Sequence, residues 1–265
     1  MATLSYHTAL FQVKRTQVQM LFDRSYNIAE DERKYLTVRE DDYSLSMFRK
    51  QGPEIELNYQ LEDFLEEYSS MSIDELKEFL SRVYTKTITV KKTTVEQKCF
   101  VWYAPDSTGD NLLRAIATLY LDTIKDLSLR EGKIDEYISI ANKEWHSNSV
   151  ELLRETFSLN YWHFLMSELM ANPTFHKFVP THRLMSEEEK KAYLVENKMR
   201  EKDLPRERYV EPLLKNSETT ANERKSDPIV KYYGFRPGQL IEISRSNIFT
   251  PILVPDTLFY RLVSY

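Results

Sequence analysis

A carboxylate and a lysine alternate in the segment VEQK, residues 95–98. On a strand, Glu96 and Lys98 would point to the same side. Acids beside a lysine on a strand could hold Mg²⁺ and position water, which is the chemistry of a metal-dependent nuclease. Such a centre needs several clustered acids, so this single pair is a weak match. A nuclease stays an alternative that a metal-dependent cleavage assay distinguishes.

Other chemistry-bearing residues are scarce or scattered. The single cysteine, Cys99, excludes an internal disulfide framework and favours a small core residue. His176 and His182 are six residues apart, a spacing that does not bring two ligands together on a helix. Neighbouring acids lie in helical runs such as SEEEKK, which are typical of a solvated face. We therefore predict no catalytic residue, no metal site and no cofactor.

The sequence also lacks the local motifs of nucleotide binding and acyl transfer. It contains no G-x-x-x-x-G-K-[ST], G-x-G-x-x-G, H-E-x-x-H or G-x-S-x-G. A Ser-His-Asp triad stays open, because such residues meet only in the fold. The simplest interpretation is a protein that binds other macromolecules.

Charge and composition limit the classes of partner that this protein can have. The chain has 265 residues, 42% of them hydrophobic, and a net charge of −5, which argues against a stand-alone nucleic-acid binder. Residues 51–80 hold nine acids and one base, Lys77. No apolar run approaches the ~18–20 residues that span a membrane, so we expect no membrane partner.

The elements that would position these residues change character along the chain. Apolar spacing predicts a helix within 7–28, with Lys14 and Arg15 as surface charges. Ser72 and Glu75 form a predicted capping box. Strands follow at about 85–92 and 97–104, and a helix at 111–127 with Asp110 as its N-cap. The remaining predicted elements of this α/β layer are strands in EYISIA and FSLNYWHFLM and a short helix near 149–156.

The last third of the chain is densely marked by helix and turn signals. Ser186 and Glu189 predict a second capping box. Asp227 or Ser226 caps a short helix that Gly234 ends, with Pro228 in its first turn. Pro237 and Gly238 suit the centre of a type II turn. Strands are predicted in QLIEIS and TLFYRLV, and the polar segment 206–225 is predicted to be a partly ordered surface insertion.

These C-terminal motifs resemble the assembly domain of the fifth subunit shared by eukaryotic nuclear RNA polymerases and of its archaeal counterpart. The resemblance rests on about 70 residues, in HKFVPTHRLMSEEEKKAYLVENKMREKDLP, SDPIVKYYGFRPGQLIEISR and YRLVSY. The matching positions that we take as assembly interface or scaffold are His176, Val179, Pro180, His182, Asp227, Pro228, Tyr233, Gly234, Arg236, Gly238, Gln239, Tyr260 and Arg261.

The N-terminal part resembles the same family more weakly. KRTQVQMLFDRSYNI is similar to the family's opening helix, and residues 40–175 match in layout. The resemblance implies an α+β protein: an N-terminal α/β jaw domain with a restriction-endonuclease-like fold, residues 1–175, and a small C-terminal α/β assembly domain, residues 176–265. Residues 206–225 and 246–256 depart from the family pattern. They suggest a divergent member, of the kind that a large DNA virus with its own nuclear-type polymerase would encode.

The resemblance implies a non-catalytic subunit of a multisubunit DNA-directed RNA polymerase. It would dock on the largest subunit, contact other polymerase subunits and transcription factors, and lie beside downstream duplex DNA through the DNA backbone only. Candidate residues for that DNA edge are Lys14, Arg15, Ser107, Thr108, Gly109 and Asn111, for which surface charges and an ordinary capped loop are the alternative. The expected location is the nucleus for a cellular protein and the virion or viral factory for a viral one. A free-standing transcription adaptor is the other alternative.

Overall fold

A computed structural model describes residues 2–36, 59–90, 93–106, 112–157, 160–176, 178–210, 226–245 and 257–265. The chain divides into two compact units, the first extending to Ala171 and the second beginning at Asn172. Within these ranges, no helix has both the length and the apolar character needed to cross a membrane. Each unit contains a four-stranded sheet with helices, which confirms the predicted α+β class.

The first unit begins with its helices. Helix α1 spans Ala2–Asp23, a 3₁₀ helix spans Glu30–Tyr35, α2 spans Leu61–Tyr68 and α3 spans Ile73–Leu80. The capping box predicted for α3 is confirmed. The Ser72 hydroxyl accepts from the backbone N–H of Glu75 at 3.3 Å, and the Glu75 carboxylate accepts from the N–H of Ser72 at 2.8 Å.

The sheet of the first unit has the order β1-β2-β3-β4. Strands β1 (Arg82–Val90) and β2 (Thr93–Tyr103) form an antiparallel pair. Strands β3 (Glu136–Ala141) and β4 (Tyr161–Leu165) continue it in parallel. The parallel steps need crossover helices, which are α4 (Arg114–Glu131) and α5 (Ser147–Thr156), and the short α6 (Met166–Leu169) follows β4.

Helix α4 begins three residues later than predicted. Leu113, not Asp110, is its N-cap residue. The cause is Leu112, whose N–H donates to the Glu144 carbonyl at 2.9 Å and whose carbonyl accepts from the His146 N–H at 3.0 Å. This bridge holds Leu112 in an extended conformation, so the helix can start only after it.

Aromatic side chains dominate the core between the sheet and helices α4 and α5. The Trp102 and Tyr120 rings stack with centroids 4.3 Å apart, and the Phe157 and Tyr161 rings stack at 5.0 Å. Aromatic pairs add to the free energy of burial through their quadrupoles. Cys99 on β2 is also fully buried, as predicted for a small core residue, and burial raises the pKa of its thiol.

The second unit has a sheet of order β5-β7-β8-β6. Its elements in chain order are β5 (Thr181–Leu184), α7 (Glu187–Glu196), β6 (Arg206–Arg208), α8 (Pro228–Tyr233), β7 (Leu240–Arg245) and β8 (Thr257–Ser264). Leu240 and Leu262 pack with Leu204 in a core beneath α7. Ile241, Ile243 and Val263 alternate with them and are also buried, so the sheet has buried residues on both faces.

The predicted surface insertion 206–225 begins with an ordered strand. Arg206–Arg208 pairs in parallel with β8, and the following Tyr209 is buried. The sequence did not predict this strand, because the segment is polar and the residues with which it pairs lie more than fifty positions further along the chain. Residues 211–225 and 246–256 lie outside the described residues.

Candidate assembly interface

The capping box of α7 is joined to the sheet. The Ser186 hydroxyl accepts from the Glu189 N–H at 3.1 Å, and the Glu189 carboxylate accepts from the Ser186 N–H at 2.7 Å, as predicted. Arg183 on β5 pairs with Glu189 at 2.8 Å and with Glu242 on β7 at 3.0 Å. The N–H of Ser186 and the Arg183 guanidinium lower the pKa of the Glu189 carboxyl. The Glu189 carboxylate therefore stays ionised, and through Arg183 it links the start of α7 to β5 and β7.

Lys190 on α7 makes a contact that sequence reasoning missed. It lies in the charged run SEEEKK but is only 7% exposed. Its ammonium group donates to the carbonyl oxygen of Gly238 at 2.6 Å and pairs with Glu201 at 2.7 Å. The only available signal was its position, since residues four apart share a helix face and Tyr193 and Leu194 mark the buried side.

The predicted turn at Arg236–Gln239 is confirmed and is fixed on both sides. The Gln239 N–H donates to the Arg236 carbonyl at 3.1 Å, and Gly238 has a φ of +89°, as a type II turn requires. The Gln239 side-chain oxygen accepts from the Arg236 N–H at 2.7 Å. The Gly238 N–H donates to the Val263 carbonyl at 2.9 Å. The turn thus has one geometry relative to β8.

Helix α8 begins and ends at the predicted residues. Asp227 Oδ1 accepts from the N–H groups of Ile229 and Val230 at 2.8 and 3.2 Å, and Pro228 is the first helical residue. Gly234 ends the helix with φ +69° and ψ +30°, in the left-handed region that side chains with a Cβ rarely adopt. Six residues are therefore held as a helix by their two ends.

The two predicted histidines contact neighbouring groups within this unit. His182 Nδ1 lies 2.7 Å from the Pro180 carbonyl oxygen, and its ring is 6.4 Å from that of Tyr233, which stacks on Phe235. Burial lowers the pKa of His182, so its imidazole is neutral at pH 7. His176 is exposed and accepts from the Phe178 N–H at 3.3 Å. Val179 and Pro180 between them are half-buried.

The remaining predicted residues, Tyr260, Arg261 and Arg236, contact side chains of other elements of the second unit. The Tyr260 ring lies 4.1 Å from that of Tyr193, and its hydroxyl donates to Glu242 at 3.4 Å. Arg261 pairs with Glu207 on β6 at 2.9 Å. Arg236 donates to the buried Tyr209 hydroxyl at 3.3 Å. The predicted set thus consists mainly of residues that fix the shape of the unit.

Large apolar side chains remain exposed on this rigid unit. Phe178 is 63% exposed, and Leu184 and Phe259 are also exposed. Leu184 and Phe259 lie on the sheet face that carries His182, because strand register places them at alternating positions. Leu184 and Phe259 thus give this face exposed apolar area.

The predicted DNA edge is corrected at Lys14. This side chain is 1% exposed, its ammonium group is 2.5 Å from Glu32 and it donates to the Tyr84 hydroxyl at 3.0 Å. A buried, paired lysine is neither a surface charge nor a phosphate ligand. Arg15 is half-buried and lies over the Phe11 ring at 5.4 Å.

The helix that the loop half of that edge is expected to open begins later than predicted. Ser107, Thr108, Gly109 and Asn111 lie outside the described residues, and the helix N-terminus is at Leu113–Arg114. In the strand pair Glu96 and Lys98, the Lys98 ammonium group pairs with Glu131 at 3.4 Å. Throughout the described ranges, no three His, Cys, Asp or Glu side chains meet as a metal site.

Comparison with known proteins decides the family. The model of "RNA polymerase Rpb5, C-terminal domain" matches residues 171–223. The "DNA-directed RNA polymerase subunit Rpo5" of Pyrococcus horikoshii is 41% identical over 72 residues, which cover 27% of this chain and 68% of the relative. The chain belongs to the family of the fifth subunit of DNA-directed RNA polymerases. Fifth subunits are structural, non-catalytic parts of the polymerase, and other polymerase subunits are their partners.

The similarity to fifth subunits extends over both units. The "DNA-directed RNA polymerases I, II, and III subunit RPABC1" of Caenorhabditis elegans is 24% identical over 242 residues, 90% of this chain and 89% of the relative. The Dictyostelium discoideum protein of the same description is 23% identical over 238 residues, 90% of each chain. For cellular eukaryotes these relatives imply a nuclear fifth subunit.

Proposed function

We propose that the second unit, which contains the predicted assembly domain 176–265, docks this fifth subunit on the largest polymerase subunit. The observation that carries the proposal is the fixed geometry around the Arg236–Gln239 turn, held by Lys190 and by the backbone of Val263. A docking surface binds tightly when its shape is preorganised, because less conformational entropy is lost on association. Phe178, Leu184 and Phe259 supply apolar area for such a contact.

Co-purification tests the docking role. We expect Phe178→Ser combined with Leu184→Ser to reduce recovery of the polymerase with the tagged subunit. Leu129→Ser is the matched control, because Leu129 is 85% exposed but lies on α4 of the first unit. Equal recovery with both variants would contradict docking through the second unit. Crosslinks from this unit mainly to a subunit other than the largest would contradict the choice of partner.

We propose further that the first unit forms part of the jaw beside downstream duplex DNA. An acidic protein can lie there if a few bases face the phosphates, and contacts to phosphates carry no sequence preference. Arg15 is the described basic residue that stays a candidate, since Lys14 is buried. A phosphate contact makes affinity depend on salt through counterion release.

Salt titration of the assembled polymerase tests the jaw role. Arg15→Gln should reduce the salt dependence of downstream-DNA retention by roughly one counterion. Lys133→Gln, a change of an exposed base in the same unit, should leave it unchanged. If Arg15→Gln leaves this salt dependence unchanged, Arg15 does not contact the DNA. If a polymerase that lacks the first unit also keeps the wild-type salt dependence, the first unit does not form the jaw.

We also propose that the host is a large DNA virus, in which case the chain works in the virion or viral factory instead of the nucleus. Identities of 23–24% to cellular relatives over 90% of the chain support a divergent member. Antibody localisation in infected and uninfected cells tests it, and nuclear signal in uninfected cells would contradict a viral origin.

A further inference from the structure

Three tyrosine rings of the first unit surround the ammonium group of Lys34. Its nitrogen lies 4.2 Å from the ring centroid of Tyr59, 5.6 Å from that of Tyr35 and 5.7 Å from that of Tyr68. Aromatic faces attract cations through the ring quadrupole, and cages of several rings bind alkylammonium ligands. We call Tyr35, Tyr59, Tyr68 and Glu67 the tyrosine cage. In this structure the cage holds a lysine of its own chain.

Glu67 supplies the anion of the tyrosine cage. Its carboxylate lies 2.5 Å from Lys34 Nζ and accepts from the Tyr59 hydroxyl at 2.5 Å. Burial acts to raise the pKa of Glu67, but the hydrogen bonds from Lys34 and Tyr59 outweigh it and lower that pKa. The Lys34–Glu67 pair is partly exposed. Partly exposed ion pairs contribute modest free energy, so an ammonium group that makes the same carboxylate and ring contacts can compete with Lys34.

A surface pocket adjoins the tyrosine cage. Its volume is about 380 Å³, and Tyr59, Asp63, Glu66 and Glu67 line it. Tyr59 and Glu67 belong to both cage and pocket. Within the described residues, no base pairs with Asp63 or Glu66. Lys34 therefore neutralises one of the three carboxylates of the wall, and the structure describes no ion pair for Asp63 or Glu66.

We propose that the tyrosine cage and its pocket bind the ε-ammonium group of a lysine in a basic segment of another protein, which displaces Lys34. Charge supports this occupant. Residues 59–80 contain seven acids and one base, Lys77, which is buried and pairs with Asp106 at 2.8 Å. The charge of residues 59–80 is thus complementary to a segment with several basic residues. The proposal does not depend on docking or DNA contact.

Fluorescence anisotropy on the intact purified chain tests the site. Two labelled peptides are compared at low salt. The first has one lysine between two arginines, and the second is the same peptide with that lysine acetylated. Acetylation should weaken binding by roughly tenfold or more, since it removes the cation. Glu67→Gln and Tyr59→Leu should weaken binding of the lysine peptide roughly tenfold. Lys34→Ala should tighten it several-fold, because the cage is then vacant in every molecule.

Glu78→Gln is the matched control, because it removes an exposed acid of the same surface outside the cage and should change affinity less than twofold. Equal binding of both peptides would overturn the proposal. So would equal losses with Glu67→Gln and Glu78→Gln, since binding would then follow overall acidity. This comparison decides even if Lys34→Ala unfolds, which circular dichroism detects.

Discussion

Lys190 and Gly238 are 48 positions apart, yet the lysine ammonium lies 2.6 Å from the glycine carbonyl oxygen. The contact joins α7 to the turn on which the proposed docking surface depends. Lys190→Met should lower the free energy of unfolding of the chain by about 1–3 kcal/mol, since the Gly238 carbonyl loses its charged donor. Lys191→Met, a change of the exposed neighbour, is the control. Urea denaturation measures both, and equal midpoints would contradict the assignment.

Glu32→Gln should strongly destabilise the first unit. It leaves the buried Lys14 ammonium without its counterion, which costs about 3–5 kcal/mol when a buried pair loses one partner. Glu30→Gln in the same 3₁₀ helix changes an exposed acid and should be neutral. Thermal and urea unfolding test this. If the double variant Lys14→Met, Glu32→Leu is no more stable than Glu32→Gln, the isolated charge is not the cause.

Gly234→Val should destabilise the second unit and lower incorporation into polymerase. The left-handed conformation at φ +69° costs a residue with a Cβ roughly 1–2 kcal/mol, and a β-branched one more. Gly234→Asn should be milder, because asparagine tolerates this region. Denaturation and co-purification measure the two effects. Normal stability and normal incorporation of Gly234→Val would show that backbone strain here does not matter.

The Asp106 carboxylate should give the first unit an acid-sensitive contribution to stability. It accepts hydrogen bonds from Tyr6, Lys77 and Asn142 at 2.7–2.9 Å. Burial acts to raise its pKa, but Lys77 above all lowers it below the ordinary 3.8. The Asp106 carboxylate therefore binds a proton more tightly in the unfolded chain than in the folded chain. The stabilising contribution is present above pH 3.8 and is lost as the pH falls through the lower folded value.

Urea denaturation between pH 2.5 and 7 of the wild type and of Asp106→Asn measures this contribution. The difference in free energy of unfolding should shrink as the pH falls below about 4. A difference that stays constant over the whole range would show that the charge of Asp106 is not responsible.

Removal of residues 211–225 should leave the second unit folded. Val210 and Ser226 are already joined, since the Ser226 hydroxyl contacts the Val210 N–H at 2.8 Å and its carbonyl at 3.0 Å. Removal of 206–225 should unfold the unit, because β6 and the buried Tyr209 are lost. Circular dichroism and denaturation compare the two deletions. Equal loss of structure in both would contradict this boundary.

Local signals were predicted well because their physics is local. Ser72, Ser186, Asp227 and Gly234 act on backbone groups within four residues of themselves, so their types and spacing define helix ends. The Arg236–Gln239 turn is similar, because a proline followed by a glycine restricts φ at both central positions.

Long-range contacts could not be predicted in the same way. Lys14 appeared to be a surface charge because its partners, Glu32 and Tyr84, are 18 and 70 residues away. The start of α4 depends on Leu112 pairing near Trp145. The tyrosine cage combines a 3₁₀ helix with α2 across a gap in the described chain, so no window of sequence contains it.

The position of β8 between β7 and β6 has a consequence for synthesis. Residues 257–264 are translated after every other strand of their sheet, yet they occupy an interior place in it. While they are still inside the ribosome, β6 has no neighbour to pair with and Ile241 and Ile243 face water on one side. The sheet of the second unit can therefore be completed only after residues 257–264 have left the ribosome. A message truncated before codon 257 would yield an aggregation-prone product, to be cleared by proteolysis before it could compete for a place in the transcribing enzyme.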